Sequence, residues 1–272
     1  MTIPTVLTIA GSDSGGGAGI QADLRTLAMH CVHGMSAITC VTAQNTVGVT
    51  RVDALPPEAV VAQLEAVRSD IGIMAAKTGM LLNGDIMTAV AAALRAHPIA
   101  NLVVDPVMVS RTGVQLIDDG AIAVLREQIF PQAVLITPNR YEAQILAQME
   151  IHDSETMQAA AQRIYNDSQI PVLLKGGGFT DGLRGVDLWY DGQEWDWLRV
   201  PAVATTQTHG TGCTLSAAIA ANLALGHDRL TSVRRAKQYV TQALHHGLAI
   251  GQGTGPVGHF FPLLTTPKAS TS

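Results

Sequence analysis

Charge, aromatic rings and cysteine are all scarce in this chain. Of its 272 residues only 14% are charged and 4% aromatic, and there are three cysteines. No run of Lys or Arg occurs, and 17 basic against 22 acidic residues leave a formal charge of −5, which argues against a general nucleic-acid binder. An anionic substrate must then be held by backbone N–H groups, a few local cations and metal ions. Cys31, Cys40 and Cys213 are odd in number and lack Cys-x-x-Cys spacing, so neither a disulfide framework nor a zinc site is expected. A reducing, cytoplasmic compartment is the natural expectation. Met1 to Val6 carries no basic region or long apolar run, so no signal peptide is expected. No apolar stretch approaches the ~20 residues of a membrane span. No linker or repeat divides the chain, which predicts a single domain over 1–272, with the Gly/Pro/Ser/Thr-rich segment from Gly251 as a loose tail.

What is abundant is small apolar side chain. Hydrophobic residues make up 47%, mostly Ala and Val, which suits helices packed closely on a parallel sheet and leaves surface for an oligomer interface. The pattern alternates strand and helix. Val6–Ala10 is β-rich and runs into the glycine loop Gly11–Gly19, then a helix from Ile20 to about His30. Strands are predicted at Met35–Thr42, Ile71–Ala76, Leu102–Asp105, Val134–Thr137 and Val172–Lys175. Helices are predicted from Pro57, over Asp85–Ala96, Arg140–Ala147, Glu155–Asn166, Ser216–Leu225 and Arg229–Gly247. Asp191-Gly192 separates two further strand-like runs as a hairpin turn. The result is a doubly wound α/β fold with a mostly parallel sheet. Asp13, Gln44, Thr78, Asp105, Asn139 and Lys175 all stand just after strands, where ligands bind such sheets.

The chemistry concentrates in Thr208–Ser216. A Gly-rich turn enters a helix there, so unpaired N–H groups and the glycines Gly210 and Gly212 should form an anion hole with Thr211 between them and Cys213 in its mouth. That helix end is expected to lower the Cys213 pKa. Asp105 and Glu142 are the Mg²⁺ candidates, because Mg²⁺ binds through one or two carboxylates plus substrate phosphates. Lys175, ahead of three glycines, suits an ATP phosphate. The loop Gly15–Gly19 is not a P-loop, since no Gly-Lys-Ser/Thr follows, and the acid of a dinucleotide-binding unit is absent. Gln44 stands in that place, and its one acceptor and two donors suit the edge of an aminopyrimidine. His209 reads as a loop histidine, and Arg111–Gly113 as a loop able to close over phosphates.

These motifs occur in one order: Ala10–Asp23, Thr42–Thr46, Lys77–Met80, Val104–Met108, Thr137–Asn139 with Glu142, Lys175–Gly177 and His209–Ala217. With them the chain resembles the hydroxymethylpyrimidine/phosphomethylpyrimidine kinases of thiamine biosynthesis, in the ribokinase-like superfamily, from about Val6 to Gly247. The resemblance implies a three-layer α/β/α ribokinase-like fold, commonly dimeric. It also implies ATP-dependent phosphorylation of 4-amino-5-hydroxymethyl-2-methylpyrimidine to its monophosphate and then its diphosphate. It places Gln44, Asp23, Met80 and Val107 around the pyrimidine, Asp105 and Glu142 on Mg²⁺, and Asn139 and Lys175 with the nucleotide. Gly210, Thr211 and Gly212 would form the anion hole and Cys213 would stand at the transferring centre. Gly178-Phe179 and Arg140-Tyr141 depart from the family pattern, both on the nucleotide side. A pyridoxal kinase, a thiol hydrolase built on Cys213 and His209, and a non-catalytic pyrimidine sensor are the competing readings. No nucleic-acid or membrane partner is expected.

Overall fold

A computed structural model describes residues 3–109, 117–180 and 182–265. The Arg111–Gly113 loop singled out above lies outside them. The chain starts with strand β1 (Thr5–Asp13), helix α1 (Gly19–Met29), strand β2 (His33–Gln44) and an edge strand β3 (Val49–Ala54). Then come α2 (Pro57–Asp70), β4 (Ala75–Thr78), α3 (Gly84–Ala96), β5 (Leu102–Val104) and α4 (Asp119–Val124). The helical path of α4 continues through wider and tighter turns to Gln132. The second half holds β6 (Leu135–Ile136), α5 (Arg140–Ala147), α6 (Ser154–Ser168), β7 (Val172–Leu174), β8 (Val186–Tyr190), β9 (Trp195–Arg199), α7 (Thr211–Ala224), α8 (Arg229–His245) and α9 (Phe261–Thr265).

The nine strands among the described residues form one sheet in the order β3-β2-β1-β4-β5-β6-β7-β8-β9. The central six are parallel, while β3, β8 and β9 join antiparallel at the two edges. Because strand side chains alternate, Leu102 and Val104 pack with α2–α6 on one face, whereas Val103 packs with α1, α7 and α8 on the other. Leu135 and Ile136 divide the same way. This is the expected three-layer arrangement. The chain moves from β1 outward to β2 and β3 and then returns to β4 on the other side of β1. That reversal opens a crevice beyond the carboxyl ends of β1 and β4.

Several boundaries differ from expectation, each for a physical reason. The apolar run at Ile71–Ala76 is not one strand. Ile71 ends α2, Gly72 has φ +81, and β4 begins only at Ala75, leaving Ile71 and Met74 exposed. Strand β3 is exposed along its whole length, so it has no buried alternate face to betray it. The segment from Gly251 is not loose as far as it is described. Thr254 N–H bonds Thr46 O, Gly255 N–H bonds Gln207 Oε1, and Val257 and His259 are buried. Helix α7 begins five residues before Ser216, which places Cys213 inside its first turn.

Candidate active site

Most helices here begin on a side-chain cap: Asn83, Asp118, Asn139, Asp153 and Asp228 each accept a first-turn N–H. Helices α1, α2 and α7 do not, and of these α1 and α7 start at the crevice. The α7 N-cap is Gly210 at φ +80, a left-handed conformation that favours glycine. A methyl group there would also overlap the Gly17 carbonyl, so the glycine loop after β1 packs directly on the start of α7. Thr211 N–H bonds Thr208 O at 3.3 Å and Thr214 N–H bonds Gly210 O at 2.8 Å. The N–H groups of Gly212 and Cys213, between them, have no partner among the described residues. A methyl added at Gly212 would lie 3.6 Å from Lys175 Nζ and 3.7 Å from Asp105 Oδ2. The start of α7 thus gathers two free N–H groups, an ammonium and a carboxylate.

Asp105 follows β5, and Lys175 follows β7. Seventy residues apart in sequence, they meet at 2.8 Å (Nζ–Oδ1). Thr137 and Ser216 donate their hydroxyls to the two Asp105 oxygens at 3.3 Å. Burial opposes the Asp105 charge, but Lys175 and Lys77 together hold its carboxyl below the ordinary range. Glu142 is also buried, and it closes a capping box: Asn139 N–H donates to Glu142 Oε2 at 2.8 Å and Glu142 N–H to Asn139 Oδ1 at 3.0 Å. Burial pushes the Glu142 carboxyl up to about 8, against the pull of Lys175. The Asn139 oxygen is thus committed to the helix, and only its amide N–H groups remain to meet a ligand.

Among the described residues no group of three His, Cys, Asp or Glu side chains is arranged to hold a metal. Asp105 and Glu142 supply hard oxygen donors at one end of the sheet, and a buried carboxyl that burial keeps from ionising gains by meeting a cation. That donor set fits a Mg²⁺ ion whose remaining ligands are phosphates and water, and does not fit a self-contained metal site.

Cys213 departs from expectation. Burial pushes its thiol up to about 11, outweighing the pull of Lys77 and of the Gly19 N–H that donates to the sulfur. The helix end does not produce a resting thiolate. Nor does Cys213 form a dyad with His209, whose Nε2 is bonded to Asp13 Oδ2 at 2.9 Å; this removes the geometric basis of a thiol hydrolase.

On the other side of the crevice Gln44 is half-buried at the end of β2, with its side chain 3.1 Å from Thr42 Oγ1 and 3.4 Å from His209 Nε2. Met80 and Cys40 close on Gly11, where a methyl group would lie 3.0 Å from Met80 Cε and 2.7 Å from Cys40 Sγ. Val107 is half-buried just beyond Asp105, its N–H returning to the Asp105 carbonyl at 2.9 Å. Asp23 lies deeper than a ligand contact. It has no exposed surface, accepts from Thr8 at 2.6 Å and pairs with the equally buried Lys77 at 3.1 Å. Although burial opposes its charge, Asp23 holds the Lys77 ammonium well above the ordinary lysine range. Sequence reasoning assigns no role to Lys77, Thr137 or Ser216. A charge interrupting the apolar run Ala75-Ala76-Lys77 is the available signal for the first, and the two hydroxyls carry none.

The model of the phosphomethylpyrimidine kinase family matches residues 13–258. The hydroxymethylpyrimidine/phosphomethylpyrimidine kinase of Synechococcus elongatus is 60% identical over 97% of this chain and 100% of its own. Among solved structures, an ADP complex of Bacillus subtilis pyridoxal kinase superposes with a TM-score of 0.90 at 36% identity, covering 97% of this chain and 100% of that one. The phosphomethylpyrimidine kinase of Clostridium difficile gives 0.79 at 38% identity, covering 89% and 99%. The sheet order, the uncapped start of α7 and this full-length similarity agree: the chain belongs to the hydroxymethylpyrimidine/phosphomethylpyrimidine kinase family, with a ribokinase-like fold.

Proposed function

We propose that this chain, as one kinase unit along its length, transfers the γ-phosphoryl group of ATP to the hydroxymethyl group of 4-amino-5-hydroxymethyl-2-methylpyrimidine. A second ATP then phosphorylates the resulting monophosphate to the diphosphate. The observation that carries this reading is the convergence of Lys175, Asp105 and the free N–H groups of Gly212 and Cys213 at the start of α7. Phosphoryl transfer depends on positioning and on neutralising charge over the transferred oxygens, and N–H groups with a fixed ammonium supply both.

In this reading Gly210, Thr211 and Gly212 form the turn that receives the phosphoryl oxygens, and Lys175 and the Asn139 amide hold the nucleotide. Asp105 and Glu142 would hold Mg²⁺, which would supply further neutralisation of phosphate charge. Gln44 reads the pyrimidine edge, Met80 and Val107 flank the ring, and the Asp23–Lys77 pair supports the pocket from beneath. The first step needs a proton removed from an alcohol, and Cys213 at the mouth of α7 takes that role. A thiol titrating at about 11 is protonated at rest and cannot accept that proton, so Cys213 acts only in its small thiolate fraction, after its own proton has passed to solvent, and most of the acceleration falls to charge stabilisation. The cytoplasm suits three unpaired cysteines. No helix among the described residues is long and apolar enough to cross a membrane. Val49 and Val52, which pair with Gln44 and Thr42, lie exposed on one side of the β2–β3 edge, and they offer a second copy an apolar contact for a homodimer.

The TM-score of 0.90 to a pyridoxal kinase favours a second reading, the same chemistry on a pyridine alcohol. ADP release with Mg-ATP, measured in parallel on the hydroxymethylpyrimidine, its monophosphate and pyridoxal, separates the two. Turnover on both pyrimidines with little on pyridoxal supports the first reading. Preference for pyridoxal replaces it. Tight pyrimidine binding with no ADP release would make the protein a sensor.

A further inference from the structure

We infer that His209 is a positioning residue: it fixes which way round the Gln44 carboxamide faces, and so makes the site select an aminopyrimidine over the matching oxopyrimidine. This rests on Gln44 being the pyrimidine contact.

His209 Nε2 lies 2.9 Å from Asp13 Oδ2. An ionised carboxylate only accepts, so the proton is on Nε2 and points at Asp13. Asp13 also accepts from the N–H groups of Gly15, Gly17 and Ala18 at 2.8–3.0 Å, which keeps it ionised and fixed in the glycine loop. The Gln44 amide lies 3.4 Å from the same Nε2, which therefore cannot accept a hydrogen from it. Thr42 has one hydroxyl proton but two neighbours that would take it: Ser12 O at 3.0 Å and the Gln44 side chain at 3.1 Å.

With the amide nitrogen toward His209, a donor faces a donor and Thr42 has a proton too few. Turning the carboxamide by 180° exchanges oxygen and nitrogen with almost no change of shape. Both conflicts then vanish. The Thr42 hydroxyl donates to Ser12 O, the Gln44 NH₂ donates to Thr42 Oγ1, and the Gln44 oxygen lies on the flank of the His209 N–H. One amide N–H and one oxygen lone pair remain for a ligand. They match an aminopyrimidine, whose ring nitrogen accepts while its amino group donates. An oxopyrimidine presents the reverse order, a carbonyl beside a ring N–H, and binds only after the amide has turned back.

His209 is itself held against rotation. Its N–H donates to Gly255 O at 3.0 Å and its carbonyl accepts from Val257 N–H at 3.3 Å. Its ring packs where a side chain at Gly17 would stand. The residue thereby ties the glycine loop, Gln44 and the segment after Gly251 to the turn that opens α7.

The test compares kcat/KM for 4-amino-5-hydroxymethyl-2-methylpyrimidine and its 4-oxo counterpart in the native protein, in His209→Ala and in Thr42→Val, with KM for ATP measured alongside. Thr42 is buried and the valine nearly isosteric, so this variant carries the same prediction should His209→Ala not fold. The native enzyme should prefer the amino compound. Both variants should lower the amino-to-oxo ratio at least about tenfold, the worth of one hydrogen bond, with KM for ATP unchanged. A parallel fall for both pyrimidines, leaving the ratio intact, overturns the role of His209 and marks it as merely structural. Absence of turnover on either pyrimidine in the native protein overturns the reading of Gln44, and the inference with it.

Discussion

Lys77→Met should make stability strongly pH-dependent. Lys77 and Asp23 have no exposed surface and meet at 3.1 Å beneath the crevice, and the Thr8 hydroxyl is the second, uncharged partner of Asp23. Burial already draws the Asp23 carboxyl above its ordinary range despite Lys77, which is the largest influence opposing that rise. Without the ammonium, folding at pH 7 must either bury a bare carboxylate or protonate it. Protonating a carboxyl of ordinary pKa 3.9 at pH 7 costs about 4 kcal/mol, which caps the penalty. It falls within the about 3–5 kcal/mol expected for breaking a buried pair. The sign follows from proton binding. The folded variant keeps a proton that the unfolded chain loses above about pH 4, so stability falls as pH rises. The deficit relative to the native protein should grow by up to about 1.4 kcal/mol per pH unit above the pH at which native Asp23 ionises. Replacing both partners, as Lys77→Met with Asp23→Leu, removes the unpaired charge and should be less destabilising at pH 7 than Lys77→Met alone. Urea unfolding at pH 5, 6 and 7 compares the native protein, Lys77→Met, Asp23→Leu and the double variant. A deficit independent of pH, or a double variant whose loss is the sum of the two single losses, would refute the reasoning.

His259, buried against Thr214 Oγ1, has its pKa drawn down to about 4 by burial and by Arg25, so the folded state refuses a proton that the unfolded chain takes up below about 6.5. Stability should fall by up to about 3 kcal/mol as pH drops from 7 through 4, and His259→Gln should flatten that part of the urea-unfolding profile. Gly212→Ala should separate folding from function: its methyl meets Lys175 and Asp105 only at ordinary contact distance, and alanine favours a helix by about 0.5–1 kcal/mol. Thermal stability should hold or rise while kcat falls, because the methyl enters the space the phosphoryl oxygens need; unchanged kcat would place the phosphates elsewhere. Cys213→Ser should slow the first phosphorylation more than the second, whose nucleophile is already ionised, by at most about 10²-fold, the low end for a general base, because little thiolate is present at neutral pH. Equal losses in single-turnover assays of the two steps would leave Cys213 as a packing residue.

The strand ends mark much of the site in the sequence itself. Asp105, Asn139 and Lys175 follow apolar runs, and in a parallel sheet the residue after a strand reaches the same rim whatever its place in the chain. The uncapped start of α7 is legible because Gly210 and Gly212 are written beside Cys213. The exposed strand β3 is not, since a strand with no buried face has no alternation to read. The segment after Gly251 reads as loose because its composition is that of a turn, yet it is anchored to Thr46 and His209 from the far side of the chain.

What sequence alone determined was local: alternating strand and helix, glycine where the backbone must turn or approach closely, and the kinds of side chain available to a phosphate or a pyrimidine. What only tertiary structure decided was electrostatic, because charge interactions depend on distance and burial rather than on chain order. Lys175 meets Asp105 across 70 residues and His209 meets Asp13 across 196. Lys77 is paired inside the core, and the thiol of Cys213 is raised where its helix position alone foretold a lowering. A helix end favours the thiolate by a modest amount, and desolvation opposes it by more. That balance depends on what packs around the sulfur, which no stretch of the sequence contains.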